Sequence, residues 1–134
     1  MKRRFRLTRS NDIQRVRRVG KSYAHPLLVL VVALAPAMQD ALAHGAPTHQ
    51  SPSQVAIITS HRIGCAVQRN HIKRQIRACW DKLLPNLPDG WHLVVLARQP
   101  IVRADFAEIE KALKSVIRRA GLTVEVKAED GRTS

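Results

Sequence analysis

The sequence predicts an α/β (α+β) two-layer sandwich, a small and mostly central sheet with helices packed on it. Three observations carry this reading. Short apolar runs rich in β-branched residues, at 27–35, 54–60 and 91–97, have the length and composition of buried strands. Two longer stretches, one from Arg62 to a stop at Pro85 and one over 105–121, repeat their apolar residues at helical spacing. Two of the strand runs flank the first of these helices, which makes a β–α–β crossover. With 134 residues, a single domain over 1–122 holds all of it, including a flexible basic tip at 1–6, and a polar C-terminal tail follows at 123–134.

Each element follows from its residues. Lys2 to Lys21 is intensely basic, with Asp12 the only acid. Ser10 is suited to cap a short helix in which Ile13 and Val16 share a face, and Gly20 to end it. Arg9, Arg15, Arg17 and Arg18 occupy the other faces. Tyr23 to Ala35 reads as one extended segment whose continuous apolar run is covered on both sides. From Pro36 to Ser53 the composition turns to Pro, Ala, Gly, Ser, Gln and histidine without periodicity, as in a surface loop. Gln54 to Ser60 is a strand, and Trp91 to Ala97 is an internal one. Asp105 and Glu108 form a capping box for the last helix. Phe106, Ile109, Leu113, Val116 and Ile117 are its core face.

Charge narrows the function. The formal net charge of +13 exceeds what solubility needs and opposes compaction, which a polyanionic partner would relieve. Aromatic residues make up 4% of the chain, too few for binding by rows of stacked rings alone. The apolar run at 27–35 behind a basic start has the look of a secretory signal. It is no longer than a buried strand and too short to cross a bilayer, so a cytoplasmic protein without membrane contact is expected.

The central helix holds the chemistry. Cys65, Ile72, Ile76, Cys79 and Leu83 fall on one stripe, as a helix docked on a core requires. Arg69, Asn70, Lys73, Arg74 and Arg77 fall on a neighbouring one with no acid among them. Arginine forks onto phosphate oxygens, lysine acts as a point charge, and the Asn70 amide both donates and accepts. That pattern suits RNA or DNA. An enzyme site is hard to build: paired carboxylates and a glycine-rich phosphate loop are absent from the sequence. Cys65 is expected to be buried away from His61, and Cys65 and Cys79 are too far apart along a helix to pair. His44, His49 and His61 have no metal-ligand spacing.

The motif Gly64-x-Ala66-Val67-x-Arg69-Asn70-x-x-Lys73-Arg74-x-x-Arg77 resembles the signature of the protein subunit of bacterial ribonuclease P. The likeness extends to Arg4-Phe5-Arg6-Leu7, Asp12, Gly20-Lys21-Ser22, the run Val94 to Pro100 and the closing helix. It leaves out 36–53 and the tail. The resemblance implies a ribosomal-protein-like domain with a left-handed β–α–β crossover. It also implies a function: binding the catalytic RNA subunit and the 5′ leader of precursor tRNA while Mg²⁺ held by that RNA does the cleavage. The protein would be monomeric within the ribonucleoprotein and would contribute no catalytic residue. Carried over by position, Arg62, Arg69, Asn70, Lys73, Arg74 and Arg77 would bind RNA. Ile13, Arg17, Tyr23, Val31, Ser60 and His61 would border the leader cleft.

The chain departs from the family at His71, Ala78 and the pair His61-Arg62. It also lacks the aromatics the family places at Ile13, Arg17 and Val31. A ribosomal or general RNA-binding protein of similar fold is the alternative reading, and a DNA-binding module is a third.

Overall fold

The computed structural model describes residues 5–45, 53–88 and 90–122. The expected tip at 1–6 is thus described only from Phe5, and the tail at 123–134 lies outside the described residues. The α-helices and strands of the described residues follow in order: α1 (Ser10–Val19), β1 (Lys21–Ala24), β2 (Leu28–Leu34), α2 (Pro36–His44), β3 (Gln54–Ile58), α3 (Ala66–Leu83), β4 (Trp91–Ala97) and α4 (Phe106–Arg119). The strands form one mixed sheet in the order β1-β2-β4-β3. β2 pairs antiparallel with β1 and β4, whereas β3 runs parallel to β4 and reaches it through α3, the crossover expected from the chain order.

Side-chain alternation divides the sheet into two apolar faces. Leu28, Leu30, Val32, Val55, Leu93 and Val95 point towards α3 and α4 and pack with Ile72, Ile76, Cys79, Trp80, Ile109, Leu113, Val116 and Ile117. Val31, Ala33, Ala56 and Val94 point the other way, where Val16 of α1 and Leu7 cover them. This is why the valine-rich run of β2 has no polar alternation. α4 starts with the expected capping box: Glu108 N–H donates to Asp105 Oδ1 at 2.8 Å and Asp105 N–H to Glu108 Oε1 at 2.9 Å.

Four expectations are corrected. The segment Tyr23–Ala35 is not one strand but a hairpin, β1 and β2, turned at His25-Pro26-Leu27. Pro26 has no N–H for a ladder, and the turn is closed by His25 N–H donating to the Leu28 carbonyl at 2.8 Å and Leu27 N–H to His25 Nδ1 at 3.0 Å. Ser10 is the first helical residue, with Arg9 at the N-cap and no side-chain cap. The segment expected to be a loop opens with α2. Its alanines favour helix without an amphipathic pattern, and Pro36 suits a first turn; residues 46–52 of that segment lie outside the described ones.

The fourth correction concerns Cys65, which is exposed, not buried. Gly64 adopts φ +144°, which breaks the backbone after the 3-10 turn His61–Ile63, so α3 starts only at Ala66 with Cys65 as its N-cap. The stripe is completed instead by Trp80, fully buried one turn after Ile76.

Candidate RNA-binding interface

The entry to α3 is built by local bonds. Ser60 Oγ accepts from Arg62 N–H at 3.3 Å, and Gln68 Oε1 accepts from Cys65 N–H at 3.3 Å. The Cys65 sulfur receives the Gln68 N–H in return, and this bond, joined by the Val67 N–H and the Arg69 charge, holds the thiol below its ordinary pKa. Along the helix, Ile72, Ile76, Cys79 and Trp80 are buried. Arg69, Lys73 and Arg77, four residues apart, are half-buried beside them; Asn70 and Arg74 are exposed on the next row.

This cationic side faces away from α4. Lys82, on the opposite flank of α3, bonds Glu110 of α4 at 3.6 Å and lies 5.2 Å from the Phe106 ring centre. The row therefore lies along the β3 edge, and its stems pack on the core while the charged heads reach water. The Nε of Arg69 is buried and has no protein partner, so its guanidinium presents its outer nitrogens. Arg62 is exposed on the 3-10 turn that leads into the helix.

On the other face of the sheet α1 leaves one end uncovered. Val29, Leu96 and Ile58 are side by side there, since Leu96 pairs with both Val29 and Ile58. All three are half-buried and belong to the α1-side cluster, as does Ile13. Arg17, one turn after Ile13 on the same side of α1, is exposed. Together they make an aliphatic groove. β3 runs from its floor into Ser60, His61 and Arg62, all exposed. The groove and the α3 row occupy opposite faces and meet around this turn.

Two residues expected at the cleft are placed elsewhere. Val31 is 3% exposed, under α1, and offers no surface. Tyr23 pairs with Leu30 and points to the α4 side of the sheet, because a strand residue shares its face with its direct partner. Sequence reasoning missed Val29, Ile58 and Leu96. Their signal was hidden because both faces of these strands are apolar. It also missed His92, buried on the α1 side of β4 with an unpartnered Nδ1. Burial lowers its pKa, Asp12 acts against that and Arg15 with it.

Among the described residues no three His, Cys, Asp or Glu side chains come together as a metal set. No helix among them is long and apolar enough to cross a membrane. Fold and site define a small, strongly basic α+β protein with a cationic helix face and an aliphatic groove.

The ribonuclease P family profile matches residues 1–121. The ribonuclease P protein component of Chloroflexus aurantiacus is 33% identical over 123 residues, covering 91% of this chain and 82% of that one. The one of Geobacillus thermodenitrificans is 31% identical over 121 residues, covering 90% of each. The Staphylococcus aureus RNase P protein structure superimposes with a TM-score of 0.73 at 24% identity, over 89% of this chain and 97% of that one. The Thermotoga maritima protein gives 0.68 at 22%, over 85% and 96%. The chain belongs to the ribonuclease P protein family, whose members are protein components of a tRNA-processing ribonuclease.

Proposed function

We propose that this protein is the RNA-binding cofactor of ribonuclease P. The cations of α3, with Arg62 and Asn70, dock on the catalytic RNA. The groove lined by Ile13, Arg17, Val29, Ile58 and Leu96 receives the 5′ leader of precursor tRNA. Mg²⁺ held by the RNA supplies the hydrolytic chemistry; the protein's part is to hold backbone phosphates and align the leader. It acts in the cytoplasm, as a monomer within the ribonucleoprotein.

One observation carries the reading: the cationic row and the groove lie on opposite faces yet join at Ser60–Arg62, so one protein can hold a folded RNA on one side and a single strand on the other. The aliphatic floor offers van der Waals contact to bases and sugars in place of ring stacking. Leader affinity therefore rests more on Arg17 and phosphate contacts than it would on an aromatic floor.

Reconstitution tests this. Added to a bacterial ribonuclease P RNA at low Mg²⁺, the protein should restore cleavage of precursor tRNA at the mature 5′ end. A ribosomal or general RNA-binding protein would bind RNA without restoring cleavage. Cleavage by the protein without the RNA would overturn the cofactor reading.

A further inference from the structure

The edge of the sheet opposite α3 carries a second cationic surface that the proposed function does not use. Two helices end there, each on a pair of arginines: Arg18 in the last turn of α1, next to the Arg17 that the groove already uses, and Arg118 and Arg119 in the last turn of α4. α1 runs through Gly20 directly into β1, the edge strand, whose first residue is the exposed Lys21. α4 reaches the far end of the same strand, where Arg119 Nη1 donates to the Ala24 carbonyl at 2.7 Å. Arg118 and Lys21 are exposed, and neither 13–25 nor 111–122 contains an acidic residue.

Cations at helix C-termini are stabilising in themselves, because they face the negative end of the helix dipole. That accounts for the arginine pairs one at a time. It does not account for Lys21 on the strand, nor for two basic helix ends brought to one short edge with no acid beside them among the described residues of 13–25 and 111–122. Charge of this density repels itself, and a phosphate backbone relieves the repulsion by releasing its counterions. The Arg119 bond also fixes one guanidinium against the strand, so part of the surface is already oriented.

The β1 and β3 edges are three strand spacings apart, about 14 Å, and face away from each other. One short helical segment of RNA cannot meet both. We propose that the β1 edge, through Arg18, Lys21, Arg118 and Arg119, is a second RNA-binding surface that grips a structured RNA segment distinct from the one held by α3, so that the protein bridges two RNA segments. This rests on the RNA-binding reading above and extends it from one docking face to two.

A bridging assay tests the proposal on the full chain. One short RNA hairpin is fixed sparsely to a surface, the protein is captured on it, and a second, labelled hairpin is supplied in solution. The unaltered protein should recruit the second hairpin. The double variant Lys21→Ala/Arg118→Ala should be captured within about threefold of it and recruit at least tenfold less. Its salt dependence of total RNA binding should fall by about two phosphate equivalents. Both side chains are exposed, and equal thermal melts would show that the fold is kept. Undiminished recruitment by the double variant, or no recruitment by the unaltered protein, overturns the second surface. Failure to capture the protein on any hairpin overturns the RNA-binding reading, and the bridge with it.

Discussion

Gly64 and Gln68 depend on each other. A Cβ at position 64 would run into the Gln68 side-chain oxygen, the atom that accepts the Cys65 N–H and closes the first turn of α3. Gly64 also has φ +144° with ψ −161°, a region open in practice to glycine alone. Gly64→Ala should therefore cost about 1–3 kcal/mol from the backbone, plus about 1 kcal/mol where the cap is lost. A urea melt showing an unchanged midpoint would refute this.

The cationic row is tested by salt. Arg69→Ala and Lys73→Ala should each weaken RNA binding and reduce the slope of log affinity against log salt by roughly 0.7–0.9, one phosphate contact apiece. Titrations at several salt concentrations measure it. Unchanged slopes in both variants would mean that the row only solvates the helix.

The groove predicts a gain. Ile13 packs at its wall, so Ile13→Phe adds a ring where a leader base can stack. The expected effect is about 1 kcal/mol, the low end for one stacked base, or roughly fivefold tighter binding. It should be seen with precursor tRNA bound to the assembled ribonucleoprotein and not with mature tRNA, which has no leader. An equal gain on both would place the contact elsewhere.

His92 predicts the acid limb of stability. Burial depresses its folded pKa, while the unfolded chain takes up the proton near the ordinary value of about 6.5. In the window between the two values the unfolded state carries more protons, so stability rises with pH there. The contribution is complete above about pH 6.5 and is lost as pH falls through the folded value. His92→Leu should flatten this limb relative to the unaltered protein in denaturant melts from pH 5 to 8. Parallel pH profiles would assign the acid limb to other groups.

Much of this was legible in the chain. The strand runs around Val31, Ile57 and Val94, the cap at Asp105 and the spacing of Arg69, Lys73 and Arg77 are local patterns, and local patterns report periodicity. The hairpin turn at Pro26 and the helix from Pro36 were not. Continuous apolarity hides where a strand ends, and the alanine-rich helix at Pro36–His44 is the least amphipathic of the four described, so its periodicity is weak. Cys65 was misplaced because a helical period was extended through Gly64, whose backbone breaks it.

By itself, the sequence determined which residues are cationic, which are core, and where the ribonuclease P motif falls, since these depend on residue type and spacing along a single element. Only the tertiary structure decided which face each side chain meets. Strand order put Tyr23 on the α4 side and closed Val31 under α1. It aligned Val29, Leu96 and Ile58 from three strands into one floor and drew the basic ends of α1 and α4 to the same edge. Those relations join residues far apart in the chain. They are set by pairing register and by how helices cover a sheet, and no local window contains them.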